Sequence, residues 1–95
     1  MYQVEFLPAS IDDLSTLDRT VAQRMIRKLR WLAENFDAVK PESLSALLAG
    51  LLKLRLGDYR ILYEVDHQPT LLIIHLVGHR REIYNRIQAG EVLLE

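Results

Sequence analysis

The sequence predicts an α+β fold in which an N-terminal strand and two helices precede a three-strand antiparallel meander, with the helices packed on one face of the antiparallel sheet. Three observations predict it. Residues 2–6 alternate apolar with polar side chains, and residues 17–36 repeat apolar side chains every three or four positions. Residues 51–77 are rich in leucine, isoleucine, valine and tyrosine and are interrupted by two turn sequences. The length fits a single domain spanning residues 1–95.

The N-terminal half is predicted to be mainly helical. Pro8 ends the first strand and suits the first turn of a short helix. The clearest periodic signal then runs from Leu17 to Phe36, with charged residues on the opposite side, and predicts an amphipathic helix of about 16 to 19 residues. Pro41 breaks this helix, and residues 42–49 are expected to form one helical turn or an ordered loop.

The C-terminal half is predicted to contain the meander. Residues 51–56 and 59–65 form a hairpin, because Gly57 and Asp58 between them suit a type II′ turn with glycine first. The segment "LLIIHLVG" is a nearly continuous apolar run, which fits a central strand buried on both faces. A short helix is predicted from Glu82 to Ala89.

Composition excludes several classes of protein. The chain is 49% hydrophobic and 26% charged, which is ordinary for a folded globular domain and argues against disorder. It has no cysteine, so a disulfide framework, a thiolate metal site and a cysteine nucleophile are all excluded. The N-terminus lacks the pattern of a signal peptide, and no apolar run is long enough for a spanning helix. We expect a soluble, cytoplasmic protein without a membrane partner.

Charge and histidine spacing limit the kinds of site. The net charge is −1 and the pI about 6.3, whereas nucleic-acid-binding domains are usually basic overall. Lysine and arginine nevertheless cluster between residues 53 and 86, so any anion site must come from geometry. The three histidines lie at positions 67, 75 and 79 without the carboxylate partners of a familiar metal site. We expect neither a metal nor a cofactor.

The hairpin places two arginines side by side. With Gly57 and Asp58 as the loop, Arg55 lies directly opposite Arg60, an arrangement that destabilises a sheet by up to about 1 kcal/mol. The face away from the helices would carry a cationic patch consisting of Lys53, Arg55, Arg60 and Arg80, with His79 and Tyr84 at its rim. Such a patch suits a phosphate, because guanidinium groups bind phosphate oxygens bidentately. The alternative is an ordinary solvated face whose arginines pair with carboxylates.

Two segments carry a family resemblance. "LKLRLGDYRILYEVD", followed by "LLIIHLVGHRREIY", resembles the RelE/ParE superfamily of bacterial type II toxins, and the RelE branch in particular. The resemblance implies an mRNA interferase, an endoribonuclease that enters the ribosomal A site and cleaves mRNA through the 2′-OH of the mRNA, without a metal. It also implies a cognate antitoxin partner that wraps the toxin, forms a hetero-oligomer with it and binds operator DNA.

The resemblance also implies roles for individual residues. Lys53 matches a lysine that activates the 2′-OH or stabilises charge, and Arg60 matches an arginine that holds the scissile phosphate. Arg80 matches an arginine that stabilises the transition state or protonates the leaving group, and Tyr84 matches a tyrosine that stacks on the substrate. Further candidates for RNA and phosphate binding are Arg55, His79 and Arg81. The expected partner of the two facing arginines is therefore the substrate anion.

Two alternatives stay open on the sequence. A ParE-like inhibitor of DNA gyrase would keep the fold, but such relatives generally lack the C-terminal arginine and tyrosine that Arg80 and Tyr84 match here. A catalytically inactive module that only binds antitoxin or RNA is the second alternative. Leu51 stands where relatives often have a second lysine, and the spacing from Arg80 to Tyr84 is shorter than in the relatives.

Overall fold

The computed structural model describes residues 1–43 and 50–90. The elements in chain order are β1 (Gln3–Phe6), α1 (Pro8–Thr16), α2 (Arg19–Asn35), a 3-10 turn (Phe36–Ala38), β2 (Glu42–Ser43), β3 (Leu52–Leu56), β4 (Tyr59–His67), β5 (Thr70–His79) and α3 (Arg80–Gln88). The prediction for residues 44–49 lies outside the described residues. Glu42 and Ser43, at the start of the same predicted turn or loop, form a short strand instead.

The five strands form one sheet in the order β1-β5-β4-β3-β2. The antiparallel meander of β3, β4 and β5 confirms the prediction for the C-terminal half. The first strand joins this meander in parallel, with Gln3 opposite Leu71, so the sheet is mixed. The parallel pairing arises because α1 and α2 carry the chain across one face of the sheet before the meander returns to β1.

One face of the sheet carries the main core, and α2 covers it. Its buried side chains include Met25, Leu29 and Leu32, which recur at the predicted helical spacing. They pack with Ile61 and Tyr63 of β4 and with the inward residues of β1 and β5. Asp18 caps this helix by accepting a hydrogen bond from the backbone N–H of residue 20. The predicted amphipathic helix is confirmed.

The opposite face carries a smaller core beneath α3. It contains Leu51, Leu62, Leu76 and Ile83, all almost completely buried. Since Leu62 lies between two β4 residues of the main core, its side chain points to the other side of the sheet. The α+β class and the two helices on one face are confirmed. The third helix begins at Arg80, before the predicted start, and packs on the other face.

A bulge in β5 adjusts which residues face each core. Leu62 pairs with Leu76 but Tyr63 pairs with Ile74, so His75 is an extra residue on β5. The imidazole Nε2 of His75 lies 2.8 Å from a carboxylate oxygen of Glu64, which satisfies this buried histidine. The extra residue shifts the alternation of side chains by one position, so β5 presents apolar residues to the main core both before and after the bulge.

None of the helices in residues 1–43 and 50–90 has the length and apolar character that crossing a membrane requires.

Candidate active site

The β3–β4 hairpin turn is the centre of the candidate site. Gly57, the first turn residue, has a positive φ of +58°. Within the described residues only glycines have a positive φ, so Asp58, the second turn residue, has a negative φ. This combination fits the predicted type II′ turn. The register places Arg55 directly opposite Arg60 and confirms that the two arginines share one face of the hairpin.

Arg60 is folded back onto this turn. Its side chain is buried, with the residue only 9% exposed, and Nη1 donates hydrogen bonds to the carbonyl oxygens of Gly57 at 2.7 Å and Tyr59 at 2.8 Å. Its Nε is buried and has no hydrogen-bond partner among the described residues. A buried donor left unsatisfied costs about 1–3 kcal/mol, which offsets part of the stabilisation from the two Nη1 hydrogen bonds.

The start of α3 is attached to the same turn. The backbone N–H of Arg80 donates to the carbonyl oxygen of Asp58 at 2.8 Å. His79 is the N-cap of this helix, and its Nδ1 accepts from the backbone N–H of Arg81 at 3.3 Å. The His79 ring also meets the Tyr59 ring edge-on at 5.8 Å. The hairpin turn therefore brings the backbone of Arg80 close to the part of the sheet that holds the Arg60 side chain.

Gly78 lies where β5 passes beneath the start of α3. Gly78 lies opposite Arg60 in the β4–β5 register, beneath the first turn of α3. A Cβ atom at this position would lie 3.5 Å from Cδ1 of Ile83, in ordinary van der Waals contact. The Ile83 side chain therefore packs directly over Gly78 at the start of α3.

Two predicted residues lie on α3 and face outward. Arg81 is exposed at the second position of the helix, and Tyr84 is 40% exposed. Arg80 and Tyr84 are four residues apart, so they are neighbours on one face of the helix. Tyr84 is therefore partly exposed at the surface of α3, one turn from Arg80.

Lys53 and Arg55 have a protein partner that the sequence did not reveal. The carboxylate of Glu42 lies 3.9 Å from Nζ of Lys53 and 3.3 Å from Nη2 of Arg55. The prediction that substrate alone partners the facing arginines is thus wrong for Arg55, which pairs with Glu42 across the β2–β3 edge. For Arg60 the partners are backbone carbonyls.

A second ion pair anchors α3. Oδ1 of Asp13 accepts from Nη1 of Arg86 at 2.7 Å, and Oδ2 accepts from the backbone N–H of Val77 at 3.0 Å. The pairing of β1 with β5 ends at Ile74, so the backbone N–H of Val77 lies beyond the end of β1. The Asp13 carboxylate accepts the hydrogen bond from this N–H in place of a neighbouring strand. Sequence reasoning missed this pair, because Asp13 and Arg86 come from opposite ends of the chain.

The site offers cations and hydroxyl groups rather than metal ligands. Within residues 1–43 and 50–90, no group of three or more histidine, aspartate or glutamate side chains is placed to hold a metal ion. Tyr63 lies on the main-core face, away from this patch, and burial raises its pKa to about 12, so its phenol is harder to ionise than that of an exposed tyrosine. The cationic side chains remain the groups that can interact with a phosphate.

Comparison with known proteins identifies the class. The family model for ParE toxins of type II toxin–antitoxin systems matches residues 4–84. The chain belongs to this family, and so to the RelE/ParE superfamily of type II toxins. A RelE-like toxin protein of Escherichia coli is 29% identical over 91 residues, which cover 88% of this chain and 90% of that protein.

Solved structures agree with this assignment. The RelBE2 toxin–antitoxin complex of Mycobacterium tuberculosis contains a chain with 30% identity and a TM-score of 0.74, and the match covers 83% of this chain and 98% of that chain. The isolated RelE toxin of Escherichia coli has 20% identity and a TM-score of 0.71, and the match covers 97% of this chain and 100% of that one. The second likeness shows the shared fold.

Proposed function

We propose that this toxin is an mRNA interferase that cleaves mRNA on the ribosome without a metal. The observation that carries the proposal is that Arg60 and Arg80 both contact the β3–β4 hairpin turn, Arg60 through its side chain and Arg80 through its backbone N–H. The buried Arg60 guanidinium keeps an Nε without a partner in the described residues, and the backbone of Arg80 is bonded to the same turn. Proteins tend to retain such unsatisfied groups at functional sites.

The proposed reaction needs no cofactor. The 2′-OH of one nucleotide attacks the adjacent phosphorus and loses its proton, while the bond from phosphorus to the 5′-oxygen of the next nucleotide breaks. The 5′-oxygen takes a proton and leaves as a 5′-OH, and the other fragment ends in a 2′,3′-cyclic phosphate. The extra negative charge on the phosphorane is what a cluster of guanidinium and ammonium groups stabilises.

Each predicted residue has a role in this scheme. Arg60 holds the scissile phosphate, and Arg80 stabilises the transition state or protonates the 5′-oxygen. Lys53 activates the 2′-OH or stabilises charge, and Tyr84 stacks on a base. Further contacts to the RNA come from Arg55, His79 and Arg81. The exposure of Tyr84 and its position one turn beyond Arg80 support the stacking role.

We also propose a cognate antitoxin as the resting partner. The similar RelBE2 chain was solved within a toxin–antitoxin complex. In that arrangement the antitoxin would cover the toxin and bind operator DNA through its other end. Copurification of the toxin with the product of an adjacent reading frame would test this part of the proposal.

The function is tested by mapping mRNA ends in a translating bacterial extract. Wild-type toxin should produce discrete cuts within codons that require ribosomes, and Arg60→Ala and Arg80→Ala should abolish them. Circular dichroism spectra of both variants must match wild type, so that lost cleavage reflects the site. Intact mRNA with folded wild-type toxin would overturn the proposal.

A second candidate is a ParE-like action on DNA gyrase, which the match to the ParE family model favours. The discriminating measurement is gyrase supercoiling with the same protein preparations. Inhibition of supercoiling together with intact mRNA would establish this second function. If neither target is affected, the chain acts as a binding module.

A further inference from the structure

Glu42 links two cations of the proposed RNA face. Its carboxylate is 3.3 Å from Nη2 of Arg55 and 3.9 Å from Nζ of Lys53. Glu42 is directly opposite Lys53 in the antiparallel β2–β3 register, and Arg55 is two residues further along β3. Side chains directly opposite each other, and side chains two residues apart on one strand, share one face of a sheet. The carboxylate therefore lies on the same face as Arg60.

The position of Glu42 suits displacement. It lies on a strand of two residues at the outer edge of the sheet, and its side chain is 51% exposed. Arg55 is 58% exposed, whereas the Lys53 side chain is mostly buried at 16%. An exposed ion pair of this kind is weak, because water screens both charges and the long side chains lose freedom on pairing.

A carboxylate and a phosphodiester present similar chemistry to these cations. Each carries one negative charge shared between two oxygens, and each can accept hydrogen bonds from a guanidinium group. An RNA phosphate that approaches Lys53 and Arg55 must therefore compete with the Glu42 carboxylate.

We propose that Glu42 occupies a phosphate subsite of the RNA face in the free protein and thereby lowers the affinity of this face for RNA. The inference rests on the proposed function in treating RNA as the ligand. Glu42 is then a residue that sets affinity without taking part in the chemistry. When RNA binds, the carboxylate turns to solvent and frees both cations, so that Arg55 contacts a phosphate that flanks the one held by Arg60 and Lys53 takes the role proposed for it above.

The test measures binding in the absence of cleavage. A fluorescent single-stranded RNA of about ten nucleotides, 2′-O-methylated throughout to block attack, is titrated with purified toxin by fluorescence anisotropy. Glu42→Gln should tighten binding about two- to fivefold, the range expected when an exposed ion pair no longer competes.

Glu5→Gln is the matched control. Glu5 is exposed on β1, at the opposite edge of the sheet from β2, and the substitution changes the net charge by the same amount. It should change the affinity less than 1.5-fold. Equal tightening by both variants would mean that only the total charge matters and would overturn the proposal, as would unchanged binding by Glu42→Gln.

A double variant separates the contact from other effects. In an Arg55→Ala background, Glu42→Gln should give a smaller gain than in wild type, because one of the two released cations is gone. An undiminished gain would overturn the proposal. Binding to the methylated RNA does not depend on cleavage, so intact mRNA in the translating extract alongside a positive binding result would reject the nuclease and retain the subsite.

Discussion

Arg55 and Arg60 lie directly opposite each other on one hairpin face, yet their guanidinium groups are held in different ways. Arg55 is exposed and pairs with a carboxylate across the sheet edge, whereas Arg60 is buried and donates to two carbonyls of its own turn. Each of the two like charges therefore has its own partner, which offsets part of the repulsion expected of a directly opposed pair. Arg60 thus supports the hairpin turn, whereas Arg55 closes an ion pair at the sheet edge.

This difference predicts unequal stabilities. Arg60→Ala should lower the free energy of unfolding by about 1–3 kcal/mol, because it removes two charge-assisted hydrogen bonds that brace the turn. Arg55→Ala should change it by less than about 1 kcal/mol, as is usual for an exposed ion pair. Urea unfolding followed by circular dichroism measures both. Equal losses in the two variants would contradict the distinction.

Asp13 should be important for stability although it lies outside the proposed chemistry. Asp13→Ala leaves the Val77 N–H without its acceptor and removes the charge that Arg86 contacts, so we expect a loss of about 2 kcal/mol. Asp12→Ala, the exposed neighbour, is the control and should change stability by less than about 0.5 kcal/mol. Urea unfolding of the two variants makes the comparison, and similar values would refute the anchoring role.

Gly57 should resist substitution for a backbone reason. Its φ of +58° is unfavourable for a residue with a Cβ, so Gly57→Ala should cost about 1–2 kcal/mol. The open space around this position excludes a steric clash as the cause. Asp58→Ala in the same turn should be nearly neutral, because its described contact is made by the backbone carbonyl. Thermal unfolding of both variants tests this, and a neutral Gly57→Ala would contradict the turn assignment.

Tyr63 should make the protein sensitive to alkali. The unfolded tyrosine ionises near pH 10, whereas burial raises the pKa of the folded one to about 12. Between these values the unfolded state binds fewer protons than the folded state, so the free energy of unfolding falls as the pH rises. By pH 11 wild type should lose about 1 kcal/mol more, relative to pH 9, than Tyr63→Phe. Parallel urea titrations at the two pH values measure the difference, and identical losses would refute it.

Local patterns predicted the elements and the hairpin register well. The turn at Gly57 alone sets which residues face each other, so the opposition of Arg55 and Arg60 follows from a few neighbouring residues. The spacing of Met25, Leu29 and Leu32 likewise identifies the buried side of α2. Such features depend on residues close in sequence, and this is why one sequence reveals them.

The contacts that complete the site are of a different kind. Glu42 lies on a strand of two residues, which is too short to show a period of two. Asp13 and Arg86 are 73 residues apart in the sequence, and only the folded structure places them in contact. Alternation also puts Arg55 and Arg60 on the same face without saying which is buried, since that depends on the neighbouring strand and helix. The roles of the predicted cleavage residues stay predictions until the mRNA assay is done.

The parallel pairing of β1 with β5 has a consequence for how the toxin is made. Gln3 gains its strand partner only when Leu71 has been synthesised, so β1 stays unpaired until a strand more than 60 residues later in the chain is complete. Contacts between such distant residues slow folding, since a long loop must close first. A nascent chain interrupted before β5 lacks the partner of β1, the support of α3 and the turn contact of Arg80. Such a chain therefore lacks the complete candidate site, because the turn contact, α3 and the paired β1 all depend on β5.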